Sequence, residues 1–256
     1  MAVELLIIPC LADNYAYVVH DAATNTTSIV DVPEAAPVLS ALGERGWKLH
    51  NILITHHHND HIDGVKALAA ATGAKVIGAR ADAHRLPPLD QEVHGGETLL
   101  LGLEEVEVID VPGHTVGHIA YYFPDSGLLF SGDSLMSWGC GRLFEGSPAQ
   151  MFDSLSRLAQ LPGDTLICSG HEYTEANGRF ALSLEPENPA LLARMEEVRA
   201  LRAQGRPTVP APLSLEAATN PFLRGTDKAL RAALGLPPAA TPLDTFTEAR
   251  ARKDRF

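Results

Sequence analysis

Short runs of β-branched and aromatic residues, each closed by a turn signal, recur through the first two thirds of the chain, as expected of strands buried on at least one face. The pattern predicts strands over residues 5–8, 15–20, 27–32, 51–54, 105–111, 118–123, 128–130 and 165–168. Between them, helical stretches are predicted over 34–44, 62–71 and 148–161, the second ended by Gly73 and the third by Pro162-Gly163. Helices interleaved with strands fit a sheet-rich, layered α/β domain. After His171 the texture changes. Ala, Leu, Arg and Glu at helical spacing predict helices over 173–184, 189–204, 227–234 and 243–253, with no convincing strand. The proline-rich break at 206–212 reads as an ordered loop inside a small helical second domain.

Composition narrows the class without naming a function. A chain of 256 residues, 45% hydrophobic and 20% charged, can bury a sizeable core and is neither disordered, collagenous nor a coiled coil. The apolar stretch at 5–8 is too short to span a bilayer, and Glu4 stands where a signal peptide carries basic residues, so the protein is expected to be soluble and cytoplasmic. Three scattered cysteines, Cys10, Cys140 and Cys168, fit a reducing compartment. The formal net charge is −12. It is uneven: residues 1–170 carry 8 basic and 21 acidic side chains, residues 171–256 carry 12 and 11. So acidic a chain makes nucleic acid a poor partner, and two regions with different jobs are expected.

The candidate chemistry lies at strand ends. Thr55-His56-His57-His58-Asn59-Asp60-His61 follows a predicted strand and precedes a predicted helix. In an extended segment alternate side chains share a face, which would turn His56, His58 and Asp60 one way and His57 the other, with His61 swung back by the helix. Imidazole and carboxylate suit zinc, iron or manganese. His114 in Pro112-Gly113-His114-Thr115, Asp133 in Ser131-Gly132-Asp133 and His171 in Gly170-His171-Glu172 sit just beyond further strands. Five histidines and two aspartates exceed the needs of one four-coordinate ion and suit two ions sharing a carboxylate.

These residues resemble the metallo-β-lactamase fold superfamily, whose motif is matched by His56-x-His58-x-Asp60-His61 with His114, Asp133 and His171. Within it the chain resembles the glyoxalase II family, the hydroxyacylglutathione hydrolases, through Asp13-Asn14-Tyr15, Gly139-Cys140-Gly141-Arg142, His171-Glu172-Tyr173-Thr174, 219–224 and Lys253-Asp254. The resemblance implies an αββα sandwich over residues 1–171 as the metal-binding catalytic domain, and a helical glutathione-binding domain over 172–256. It implies two divalent ions, zinc first with iron or manganese as alternatives: His56, His58 and His114 on one, Asp60, His61 and His171 on the other, Asp133 bridging. His57 is no ligand in that pattern, and His118 is expected to orient one.

The implied reaction is hydrolysis of S-D-lactoylglutathione to D-lactate and glutathione, the second step of methylglyoxal detoxification, by hydroxide held between the ions, with Asp60 and Asp133 catalytic. Arg142, Tyr173, Arg250 and Lys253 line up with glutathione-contacting positions, and Arg250 and Lys253, three apart on a helix, could meet one carboxylate. Phe144 departs from relatives that carry an aromatic hydroxyl there, so a hydrogen bond is lost. Cys140 lacks a paired base and is expected to pack rather than attack. A glutathione persulfide dioxygenase using a single iron is the competing enzyme, argued against by the long second region. A non-catalytic metal-binding module is disfavoured because structural zinc prefers closed, cysteine-rich shells. The expected partner is a small glutathione thioester, acted on by a monomer with no membrane or nucleic-acid contact.

Overall fold

The chain opens with an antiparallel meander, β1 (Glu4–Cys10), β2 (Asn14–Asp21) and β3 (Thr26–Val30), in the computed structural model, which describes residues 3–256. Helix α1 (Ala35–Arg45) then carries the chain over to β4 (Leu49–Leu53), parallel to β3. Helices α2 (Asn59–Ile62) and α3 (Val65–Thr72) lead to β5 (Lys75–Ala79), and β6 (Gln91–Val93) completes a six-stranded mixed sheet in the order β1 to β6. Parallel neighbours need such crossovers, which lay the helices on the sheet's face. The apolar stripes of α1 (Val38, Leu42) and α3 (Val65, Leu68) accordingly bury against Ile8, Val18, Ile29, Ile52 and Val76. Gly73 ends α3 in the left-handed conformation, φ 71°, where a side chain would be strained.

The opposite face of this sheet meets four antiparallel strands, β7 (Thr98–Leu101), β8 (Glu104–Asp110), β9 (Ile119–Phe123) and β10 (Leu128–Gly132). The Tyr17 and Phe130 rings lie 5.5 Å apart, and the Tyr121 hydroxyl donates to the Ile54 carbonyl at 3.1 Å. Strand β2, covered on both sides, is buried for seven of its eight residues, whereas β8 alternates Val106 and Val108 inward with Glu105 and Glu107 outward. Residues 3–111 and Val116–Gly132 form this first compact unit.

The second unit comprises Pro112–Thr115 and Asp133–Phe256. It contains the short hairpin β11 (Leu135–Met136) and β12 (Gly139–Cys140), then α4 (Pro148–Leu158), β13 (Leu166–Ser169), α5 (Thr174–Leu184), α6 (Pro189–Ala203), β14 (Ala211–Pro212), α7 (Leu213–Thr219), α8 (Lys228–Ala233) and α9 (Pro242–Arg255). Helices α4 and α9 start at capping boxes, Ser147 with Gln150 and Thr241 with Asp244, each with proline in the first turn. The break at 206–212 is an ordered loop: Thr208 N donates to Glu172 Oε2 at 2.8 Å, and β14 pairs with β13.

Several elements differ from the sequence-based expectation. Strand β5 was not anticipated because Gly78 interrupts its apolar run; a Cβ there would lie 2.9 Å from Leu86 Cδ1. Strands β6, β7, β11, β12 and β14 are too short to show a period. Helix α7, also not anticipated, starts directly on Pro212. Helix α4 stops at Leu158, and Gln160 and Leu161 close tighter backbone turns before Pro162, each N–H reaching back three residues. No helix among the described residues is long and apolar enough to cross a membrane.

Candidate metal centre

The histidine-rich segment leaves β4 in an extended path and turns into α2 at Asn59, with His58 as its cap. Strand alternation therefore brings in His56 and His58, while Asp60 arrives on a helical turn, a correction to the expectation that all three share one extended face. His57 does point elsewhere, its Nδ1 3.0 Å from Asp82 Oδ2.

Hydrogen bonds settle which ring nitrogens carry protons. The buried Asp31 carboxylate accepts from Thr55 N at 2.9 Å and from the Thr55 hydroxyl at 2.8 Å. That hydroxyl has given its single proton to Asp31, so at 3.0 Å from His56 Nδ1 it must accept, leaving a lone pair on His56 Nε2. Asp31 Oδ2 also takes the Nδ1 proton of His61 at 2.8 Å, which leaves His61 Nε2 with a lone pair. His56 Nε2 lies 3.1 Å from His58 Nδ1, and two ligands bound tetrahedrally at 2.0–2.1 Å sit about 3.3 Å apart. Two imidazole nitrogens this close share either a proton or a cation.

Other groups hold these rings in place. The His118 ring stacks on that of His56 at 4.6 Å, in keeping with an orienting role. The Asn14 amide donates to Asp60 Oδ2 at 3.0 Å and to the Asp60 carbonyl at 2.9 Å. Asp31, His56 and His61 present donor atoms within 4.8 Å of one another. Neither Asp31 nor the role of Asn14 was inferred from sequence. The available signal was an acid within the apolar run Ile29-Val30-Asp31-Val32, since a buried carboxylate must be hydrogen-bonded to survive there.

In the second unit His114 donates from Nδ1 to the Arg142 carbonyl at 2.8 Å, again directing a lone pair through Nε2. Asp133 Oδ2 lies 3.5 Å from His114 Nε2 and 3.4 Å from His171 Nε2. One carboxylate oxygen thus faces two histidine nitrogens at ligand-to-ligand spacing. Gly141 makes this possible: a Cβ there would fall 2.1 Å from the Asp133 carbonyl and 2.8 Å from His114 Nδ1. Nitrogen and carboxylate donors of fixed tautomer, without a cysteine, fit divalent zinc, iron or manganese.

The loop between Asp133 and Arg142 is held by the helices of its own unit. Asn220 Nδ2 donates to the carbonyls of Met136 (3.0 Å) and Gly139 (3.1 Å), and Asn177 Nδ2 to that of Ser137 (3.0 Å). Trp138 N donates to Glu216 Oε2 at 2.8 Å; Glu216 is fully buried and paired with Arg194, whose guanidinium lies 4.4 Å above the Trp138 ring.

The four expected substrate residues are differently placed. Arg142 is exposed, with Nε 3.8 Å from Asp254 Oδ1. The Tyr173 ring stacks on His171 at 4.6 Å. Arg250 is buried at 6% exposure, donating to the Cys140 carbonyl (2.9 Å) and to Asp254 Oδ1 (2.7 Å). Lys253 is half-buried, Nζ reaching the Ala176 carbonyl at 3.5 Å and lying 5.3 Å from the Phe180 ring centroid. Burial, with Arg250 and Arg179 nearby, lowers its pKa to about 8. The Phe144 ring stands edge-on to His114 at 5.3 Å. Cys140 is buried and its thiol pushed up to about 11, chiefly by desolvation, so it is no nucleophile.

Comparison with known proteins matches residues 16–171 to the metallo-beta-lactamase superfamily and residues 172–256 to the hydroxyacylglutathione hydrolase C-terminus. A hydroxyacylglutathione hydrolase from Rhodobacter capsulatus is 68% identical over the full length of both chains. Among solved structures, the BLEG-1 B3 metallo-beta-lactamase superposes with a TM-score of 0.67 at 22% identity, over 86% of this chain and all of its own. TTHA1623 in a di-iron-bound form gives 0.63 at 26%, over 86% and 100%. The fold is thus that of the metallo-beta-lactamases, extended by a helical region.

Proposed function

The chain belongs to the hydroxyacylglutathione hydrolase family of the metallo-beta-lactamase superfamily, and from that membership we propose how its donors are used. Its activity is the metal-dependent hydrolysis of a hydroxyacylglutathione thioester. His56, His58 and His114 would hold one divalent ion and Asp60, His61 and His171 a second, with the Asp133 carboxylate available to both. Residues 1–171 form the catalytic domain and 172–256 the part that binds glutathione, a division supported by the two family models meeting between His171 and Glu172. The observation that carries the two-ion reading is the single oxygen of Asp133 facing both His114 Nε2 and His171 Nε2 at 3.5 and 3.4 Å. Zinc is favoured, with manganese an alternative; the 26% identical TTHA1623 in its di-iron-bound form keeps iron in consideration.

When bound, such ions lower the pKa of a water from about 15.7 to about 7 and polarise a carbonyl oxygen. The chain's own residues do the rest. Asp60, steadied by the Asn14 amide, orients the attacking water and accepts its hydrogen bond. Asp31, through His61, and Thr55, through His56, keep both rings in the tautomer that presents Nε2. The water gives up a proton to solvent and adds through its oxygen to the thioester carbon; the carbon–sulfur bond breaks with its electron pair going to sulfur, glutathione leaves as a thiolate that solvent can protonate, and the acid product gives its proton to solvent. Sulfur needs no dedicated acid, in keeping with a site whose ionisable residues are committed to ligation. Arg142, Tyr173, Arg250 and Lys253 receive the glutathione peptide. The acyl group is a small 2-hydroxyacyl, D-lactoyl in the simplest case.

The three free, buried thiols support a cytoplasmic setting. The test is kcat/KM for S-lactoylglutathione against the same acyl group on a thiol without the peptide, using protein of measured metal content. Strong preference for the glutathione thioester is expected. Hydrolysis of neither thioester by a two-metal protein would refute the reading, and oxygen uptake with glutathione persulfide would then be measured.

A further inference from the structure

An acid in the last turn of a helix faces the negative end of the helix dipole and is locally unfavourable, so Asp254, near the end of α9, calls for another reason. The same oxygen, Oδ1, accepts from Arg250 at 2.7 Å and lies 3.8 Å from Arg142 Nε, while the Asp254 side chain is 39% exposed. Arg250 already spends NH1 on the Cys140 carbonyl. Arg142 and Lys253 are the neighbouring cations with donors to spare, since an ammonium has three and Lys253 uses one on Ala176.

Glutathione has two carboxylates. The γ-glutamyl one sits beside its own ammonium, so a cluster of cations gains little from it. The glycine one carries its charge alone and fits Arg142, Arg250 and Lys253. We propose that Asp254 is an affinity-setting residue: its carboxylate competes with the glycine carboxylate of glutathione for Arg142 and Arg250. This rests on the reading of these residues as the glutathione site. The competition has a use. Substrate and product share the whole peptide, so peptide affinity binds both alike, adds nothing to the chemical step and delays release of glutathione. A resident carboxylate beside the arginines weakens that shared affinity.

The test uses the full-length, metal-loaded protein at low ionic strength. Asp254→Asn lowers both KM for S-lactoylglutathione and Ki for free glutathione by about two- to fivefold, the range for a partly exposed ion pair. Asp254→Glu retains the charge and stays close to the parent value. With the same acyl group on γ-glutamylcysteinylglycinamide, whose terminal carboxylate is an amide, Asp254→Asn leaves KM unchanged. The proposal is overturned if Asp254→Asn leaves KM and Ki where they were. It is equally overturned if they rise, which would make Asp254 a positioning partner of Arg250, or if the amide substrate gains as much as the acid. The parent protein is assayed first: if it cleaves neither thioester, the function reading fails instead. Asparagine at the exposed end of α9 relieves the dipole conflict while giving up the ion pair with Arg250, and a melting temperature within a few degrees of the parent's confirms the fold.

Discussion

Arg194→Met probes the ion pair that supports the turn between Asp133 and Arg142. In the parent the Arg194 guanidinium meets Glu216 and donates to the Thr219 hydroxyl at 2.7 Å and the Ser137 hydroxyl at 3.3 Å. Glu216 has no solvent exposure, so the substitution leaves its carboxylate buried with only Trp138 N and Asn220 Nδ2 to stabilise it. Removing one partner of a buried pair costs about 3–5 kcal/mol. Methionine keeps the contact with the Trp138 ring, so the loss of the guanidinium above it adds little. At about 2–4 °C per kcal/mol for a chain of this size, the midpoint of thermal unfolding followed by circular dichroism should drop by about 6–20 °C. Neutralising both partners, in Arg194→Met with Glu216→Gln, should restore much of that loss, because no charge remains buried. A single variant within about 1 kcal/mol of the parent, or a double variant as unstable as the two singles added together, would refute the reasoning.

Further outcomes follow from the site. Gly141→Ala should lower bound metal, read by elemental analysis, and activity with it, because its methyl falls on the Asp133 carbonyl and the His114 ring. Asp31→Asn should weaken metal binding about 10–100-fold in competition with a chelator, since it removes the acceptor that sets the His61 tautomer, while a change in activity without a change in metal affinity would contradict that role. Lys253 is charged below its pKa of about 8 and neutral above it, so kcat/KM for the glutathione thioester should fall as pH rises through about 8; Lys253→Arg should remove that limb, and a parent profile flat to pH 10 would show that its charge does not matter.

Much of the first unit was legible because burial there leaves a period. The valines of β8 alternate with glutamates, and His56, His57 and His58 divide between two directions as a strand end requires. The start of α2 at Asn59 was not legible, because no apolar period spans four residues, and so Asp60 was assigned to the wrong geometry though to the right neighbourhood. Asp31 escaped because its importance lies in what it touches, Thr55 and His61, which are distant in sequence. The same holds for Asn177 and Arg194, polar residues of expected helices, and for Glu216 and Asn220, which lie outside every expected helix: only packing shows them to be buried around one turn. Arg250, three residues before Lys253, looked like its equal, but it points inward, with its NH1 on the Cys140 carbonyl.

The turn at Ser137–Cys140 lends its backbone carbonyls to Asn177, Asn220 and Arg250, all contributed after residue 171. A shortened protein ending at His171 would lose these donors and the Arg194–Glu216 pair together, exposing the face of Trp138 that Arg194, Ala181, Leu191, Met195 and Val198 cover. Such a truncate should precipitate or be degraded rather than survive as a smaller hydrolase with relaxed substrate choice. The helices after His171 are therefore part of what folds the loop between Asp133 and Arg142, and a deletion aimed only at substrate choice would also remove the support of that loop.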